Sequence, residues 1–439
     1  LISISRIFLI SIITNINQIK INDIPAALIY GAKNTDFELA ASLHRNNEIN
    51  IENIINKLSK LEIAIPSWAL GMGGTRFGRF SLGGQPRNLN EKINDVGILN
   101  ALTKSSGSIS LHIPWDIPDD FEVINKIAKS HGIKFDSVNS NTFQDQKDSK
   151  LSYKFGSLSH VDKNVRDLAI NHNIEVINYG KKIGSKSLTV WLADGASYPG
   201  QSNFRDNFKR TLDSFQKIYE HLPNDWKLLI EYKPHEPFFY SMVIPDWGSS
   251  FLFTSKLGKK AYSLIDLGHH LPNTNIEQIV AVLMQEEKLG GFHFNDSNYG
   301  DDDLTVGSQN PFQLFLIFCE LVLGEKETKN PKISWMIDAS HNLKDPLEDL
   351  LQSIENIKIA YTKSLLVDFN RLREAQQIND ITLCESILNE AFNIDVRPIV
   401  NESNFRLGGS ISPIDTYRKL EIRKKLTKQR GHKYTSSGL

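Results

Sequence analysis

GFHFNDSNYGDDD, residues 291–303, decides the fold of this chain and carries much of its chemistry. Along an extended strand successive side chains alternate, so Phe292 and Phe294 face one way while His293 and Asn295 face the other. Three carboxylates follow in a loop, and a helical pattern begins at 310, which makes one βα unit. Working outward, the strand-like runs are LEIAIPSW (61–68), SISLHIPW (108–115), IKFDSVN (133–139), SLTVWLAD (187–194), WKLLIEYK (226–233), AYSLIDLG (261–268), GGFHFND (290–296) and ISWMID (333–338). Helical patterns follow them at 88–103, 119–131, 162–183, 205–222, 246–257, 274–287, 310–323 and 345–368. Eight such units predict parallel strands with right-handed crossovers closed into an α/β (β/α)8 TIM barrel. An open doubly wound sheet is the alternative, but it fixes no number of units. The barrel domain is placed at 31–370, with one or two helices at 32–60 before the first strand. A helical extension at 371–439, suited to oligomer contacts, follows it.

The 439 residues would allow two or three average domains, yet a barrel of this kind is commonly one unit. Hydrophobic residues at 40% and charged residues at 23% support a large core and argue against disorder. A net charge of −1 argues against a nucleic-acid backbone binder, which needs a basic surface. The basic run RKLEIRKKLTKQRGHK (418–433) is read as a solvated helix or tail, the alternative being contact with a polyanion or a neighbouring subunit. Cys319 and Cys384 offer neither a disulfide framework nor a thiolate metal site, and a reducing cytoplasm fits them. The apolar start LISISRIFLISIITN is too short to span a bilayer, and its polar continuation offers no small-residue cleavage site. Residues 1–30 are therefore read as an atypical extension outside the fold rather than an export signal.

Barrel sites lie at the C-terminal ends of the strands, so polar residues should collect there and avoid the strand starts. Trp68, His112, Asn139, Trp191, Asp194, Glu231, Lys233, Asp266, His293, Asn295 and Asp338 fall at or just beyond run ends. A first divalent cation would take Glu231, Asp266, His293 and Asp338, one from each of four successive strands. A second would take His269, Asp301 and Asp303 and share Asp266; an extended loop would aim Asp301 and Asp303 at one ion. Carboxylates with one or two imidazoles suit Mn²⁺, Co²⁺ or Mg²⁺, with Zn²⁺ also possible. Taken singly, an aspartate at a strand end is more often a helix cap, and a lone histidine a satisfied core residue. Several anions converging on one mouth repel unless a cation neutralises them, and that favours the joint reading. Lys233 shares a face with Glu231 and would set an ammonium beside the cations to stabilise a substrate oxyanion; a salt bridge to an aspartate is the bland alternative. The glycine-rich loop GMGGTRFGRFSLGGQPRN (71–88) has neither Walker nor dinucleotide spacing and is read as a lid or subunit contact.

IPSWALGMGGTRFGRF, SLHIPWD, NSNTF, YKFGSLSH, LTVWLADG, YPGQSNF, DLGHHLPNTNIE, GGFHFNDSNYGDDDL and MIDASHN, met in this order between about 62 and 420, together resemble bacterial L-rhamnose isomerase of the broad-specificity type. That family belongs to the xylose isomerase-like barrels. The resemblance implies a homotetrameric, two-metal, usually Mn²⁺-assisted aldose-ketose isomerase. Its metal ligands fall on Glu231, Asp266, His269, His293, Asp301, Asp303 and Asp338. Its substrate contacts fall on His112, Trp191 and Lys233, with Phe77 reaching a neighbouring subunit's site. Trp68, with Trp115, offers an aromatic face for the C–H side of a sugar, ordinary core packing being the alternative for each, and Lys233, Asp303 and Asp338 form the catalytic set. Tyr232 and Pro234 stand where the family more often has His and Met, and Ala193 replaces a glycine, which leaves substrate preference open. The expected reaction is L-rhamnose to L-rhamnulose by a 1,2-hydride shift, with no nucleic-acid or membrane partner. A barrel epimerase would need a second glutamate at the metal beside Glu231, a phosphodiesterase would need a basic groove, and a sugar-binding protein would not need seven ligands.

Overall fold

The computed structural model describes residues 50–75, 78–236, 240–341 and 343–432, so residues 1–30, the helical patterns before 50 and Phe77 lie outside the described residues. Eight parallel strands close into a barrel in chain order: β1 (Ala64–Pro66), β2 (Ser108–Ile113), β3 (Lys134–Ser140), β4 (Ser187–Val190), β5 (Lys227–Glu231), β6 (Ala261–Asp266), β7 (Leu289–Phe294) and β8 (Ser334–Ile337). Ala64 closes the ring, registering with Ser108 of β2 on one side and Met336 of β8 on the other.

After the short helix α1 (Ile51–Leu58), the outer layer consists of α2 (Leu89–Thr103), α3 (Phe121–Ser130), α4 (Lys163–Ile183), α5 (Phe204–His221), α6 (Trp247–Leu257), α7 (Ile276–Gln285), α8 (Pro311–Glu327) and α9 (Pro346–Leu365). Their starts are written locally. Asn88, Asp120, Asp162, Asn203, Asp246, Asn275 and Asp345 each accept a backbone N–H of the first turn, and α8 instead begins on Pro311, whose missing N–H costs nothing there. On β7 the alternation holds. Phe294 stacks on Phe318 of α8 at 5.3 Å and meets Trp335 at 5.8 Å, which turns His293 toward the barrel interior.

Three expectations need correction. Trp68 is not on a strand: β1 stops at Pro66, which has no N–H to extend the ladder, and residues 67–70 form a 3₁₀ turn. Strand starts are not free of charge either, since Lys134, Asp136, Lys186, Lys227 and Lys332 line a cleft at the N-terminal end of the barrel. The basic run near 418–433 is only partly solvated. It forms α14 (Ile422–Arg430), which follows α10 (Phe369–Gln377), α11 (Ile381–Phe392), α12 (Arg397–Arg406) and α13 (Pro413–Lys419).

From α14, Arg430 makes paired bonds of 2.7 Å to both oxygens of buried Asp95 and reaches the Gly84 carbonyl at 3.1 Å. Arg423 pairs with Asp345 and bonds the Gly83 and Gly84 carbonyls. Two arginines that the composition assigned to solvent thus fasten the C-terminal helix to the glycine-rich loop after β1. Gly83 and Gly84 have φ of 86° and 69°, a conformation that suits glycine, and a Cβ on Gly84 would meet the Thr427 backbone at 2.6 Å. Among the described residues no helix is long and apolar enough to cross a membrane.

Candidate functional site

Strand register assembles the carboxylates. Glu231 ends β5 opposite Leu264, Asp266 ends β6 opposite His293 of β7, and Asp338 follows β8. His293 Nδ1 lies 3.2 Å from Glu231, 3.7 Å from Asp266 and 3.5 Å from Asp338. Glu231, Asp266, His293 and Asp338 form one group whose ligand atoms all lie within 4.8 Å of one another, and Asp266, His269 and Asp301 form a second. Either group can hold a metal ion, and Asp266 belongs to both. His269 Nε2 sits 3.3 Å from Asp301, while its Nδ1 lies 3.1 Å from the Tyr232 carbonyl, a contact that orients the ring.

Asp303 stands apart. It lines the same cavity, 3.5 Å from the Asn295 amide, but falls outside both groups. Its backbone is left-handed, with φ of 48°, so the loop is not extended through it as expected. Asn295 does not line this cavity; its amide donates to Asp266 at 2.9 Å.

The electrostatics show what the groups lack. Burial raises the Asp266 carboxyl to about 7, with Asp338, Glu231 and Asp301 adding repulsion against the pull of His269. Burial, then Asp301, Asp338 and Asp266, hold Asp303 well above the usual carboxylate range. Burial opposes a charge on His269, yet Asp266 and Asp301 push it up to about 9. Among the described residues, buried Asp266 Oδ2 and Asp301 Oδ1 have no hydrogen-bond partner. Crowded hard-oxygen donors with imidazoles and orphaned carboxylate oxygens fit a divalent cation.

The cavity above them encloses about 520 Å³. His112 stacks on Trp115 at 4.1 Å and meets Trp68 and Phe143 edge-on, and Phe143 meets Trp191 at 4.9 Å. Trp68 donates its indole N–H to Asp338 at 2.9 Å, tying the aromatic wall to the first group. Burial lowers the His112 pKa to about 3, so the ring is neutral, and its buried Nδ1 has no partner among the described residues. Lys233 bonds Asp301 at 2.6 Å and also Glu236, and it lies 5.4 Å from the Trp191 ring. The salt bridge to an aspartate, the alternative reading of Lys233, is thus present at the cavity wall.

Sequence reasoning missed Phe143, Gln144, Glu236 and Tyr240, which also line the cavity. Glu236 was detectable, three residues after Lys233. It missed too the support behind the aromatic wall. Buried Asp116 accepts from Lys92 at 2.6 Å, from the His112 backbone at 2.8 Å and from Ser67, locking the ends of β1 and β2 where Trp68, His112 and Trp115 stand.

No protein-family model matches the chain. It is 48% identical over 385 residues to a probable sugar isomerase of Mesorhizobium japonicum, covering 87% of this chain and 89% of that protein. It is 45% identical over 396 residues to a probable sugar isomerase of Rhizobium meliloti, covering 90% of this chain and 92% of the other. Among solved structures, an L-ribulose 3-epimerase superposes with a TM-score of 0.53 at 13% identity, covering 72% of this chain and 98% of that one, a likeness of fold.

Proposed function

The chain belongs to the sugar isomerase family of these two rhizobial relatives, and within it we propose a two-metal aldose-ketose isomerase converting L-rhamnose to L-rhamnulose. The observation that carries the metal reading is the pair of buried carboxylate-imidazole groups sharing Asp266 at the barrel mouth. The first cation is assigned to Glu231, Asp266, His293 and Asp338. The second is assigned to Asp266, His269 and Asp301 with Asp303, and Mn²⁺ is the favoured ion. When bound, the cations supply Lewis acidity toward O1 and O2 of the open-chain sugar. L-Rhamnose as substrate rests on the motifs from IPSWALGMGGTRFGRF to MIDASHN.

The chain's own residues do the rest. The aromatic rings of Trp68, Trp115, Phe143 and Trp191 exclude water and offer flat faces to sugar C–H groups. The neutral ring of His112 lines the cavity beside Trp115, an aromatic face for the sugar. Burial opposes the charge on Lys233, but Asp301 and Glu236 raise its pKa, so the side chain keeps its ammonium for a developing oxyanion. Glu236 is engaged by that ammonium, which leaves Glu231 without a free glutamate opposite it among the described residues. This arrangement favours hydride movement between C1 and C2 over proton relay through two glutamates.

A panel of aldoses and ketoses tested with added Mn²⁺ should give the highest turnover with L-rhamnose and L-rhamnulose. Epimerisation at C3 without aldose-ketose exchange would reject the reading. Turnover in heavy water should leave little deuterium at C1 or C2 of product; near-stoichiometric incorporation would reject the hydride shift alone.

A further inference from the structure

Asp349, in the first turn of α9, belongs to neither carboxylate-imidazole group, yet it is buried and both of its oxygens are engaged. An anion suits that position, because the helix dipole favours negative charge in a first turn. One oxygen accepts the His341 Nδ1–H at 2.7 Å. The other accepts the Thr305 hydroxyl and, at 3.2 Å, the Lys344 ammonium, which also bonds the Thr305 oxygen. These partners come from the loops after β7 and β8. His341 extends the junction to a third loop, since its carbonyl accepts the Gly73 N–H at 2.9 Å in the glycine-rich segment after β1.

Further along α9, Ser353 and Asn356 share the face of Asp349, at helical spacing. Ser353 Oγ accepts the Val306 N–H at 3.2 Å, and the Asn356 amide donates to the Val306 carbonyl at 2.7 Å, so residues 305–306 are laid along the helix. Just before them, Asp296 and Leu304 exchange backbone bonds of 2.9 and 3.0 Å, which close the base of the loop carrying Asp301 and Asp303. The Asp303 carbonyl in turn accepts the Ser340 N–H at 3.4 Å. Apolar packing would hold α9 against the barrel, but only directional bonds, all satisfied, fix the loop in one place. Asp349, Thr305 and His341 do not line the sugar cavity, so they act on the ligands and not on the sugar.

We propose that Asp349 is a positioning residue for the second cation: through Thr305 it sets the loop that presents Asp301 and Asp303, and the affinity for that ion depends on a carboxylate outside the ligand group. The proposal rests on the two-metal reading of the site.

Calorimetric titration of Mn²⁺ into the stripped, full-length protein tests it. The native chain should bind two ions. Asp349→Asn keeps the shape of the side chain but gives up an acceptor, and Thr305→Val deletes only the hydroxyl. Each should weaken one ion by about 10–100-fold, as loss of support behind metal ligands does, and leave the other unchanged. Added to Asp301→Asn with Asp303→Asn, where the first ion alone remains, Asp349→Asn should cost no further affinity. Ser364→Ala, which removes a hydroxyl bonded to the Tyr361 carbonyl at the far end of α9, should bind both ions as the native chain does. Native affinity in either single variant, equal weakening of both ions, a further loss in the triple variant or the same loss in Ser364→Ala would overturn the positioning role. If Asp349→Asn does not fold, Thr305→Val decides alone. Fewer than two ions on the native chain would instead reject the two-metal reading.

Discussion

At the scale of single residues the account turns on charges that burial makes expensive. Lys233 stays cationic because Asp301 and Glu236 grip it, so in the proposed role its ammonium would act on the transition state. Lys233→Met should lower kcat by about 10²–10³-fold, as loss of one oxyanion donor does, with a smaller change in KM. A change confined to KM would make it a ground-state contact. Asp301→Asn combined with Asp303→Asn should remove one of two bound Mn²⁺ per chain while the circular dichroism spectrum is retained, because both residues lie in a loop outside the barrel core. Two Mn²⁺ still bound would refute the second-site assignment. The main clustered residues were legible because period-2 strands place every second side chain inward at a strand end. The left-handed turn at Asp303 was not, since no strand or helix period governs that loop. The contact of Asp301 with Lys233 was hidden as well, because it joins the loops after β5 and β7, which lie far apart in sequence.

At the scale of elements, the eight βα units were readable from alternating apolar runs and helix caps, because both signals are local. The inward turn of Arg423 and Arg430 was hidden, because their partners Asp345 and Asp95 lie far away in sequence and charge composition alone favours solvent. The same holds for Lys358 of α9. It is 1% exposed and donates to the Thr103 carbonyl at the end of α2 and to Asn404 of α12, with no carboxylate bonded to it among the described residues. Burial lowers its pKa to about 7, whereas an unfolded lysine titrates near 10.4. Between those values the unfolded chain holds a proton that the folded chain has released, so this residue makes stability rise with pH across that window. Urea unfolding at pH 7 and pH 9.5 should show this rise in the native protein and a flatter dependence in Lys358→Met. An equal slope in both would remove Lys358 as its source.

At the scale of the whole molecule, several of the most exposed apolar side chains stand on loops that follow the strands. Phe80 is 65% exposed, Phe155 77%, Tyr299 89% and Leu343 98%, all on the face that carries the mouth. Such a rim is suited to burial against another copy of the chain, in keeping with the homotetramer the motif resemblance implies. Sedimentation equilibrium should give a mass of four chains; a fully active monomer would contradict it. The proposed function requires cations at the shared Asp266. The most direct test strips the protein exhaustively with chelator and follows L-rhamnose isomerisation as Mn²⁺ is titrated back. The stripped protein should show no turnover and regain it fully at two equivalents per chain; full turnover without metal, or none at any Mn²⁺ concentration, would contradict the two-metal reading.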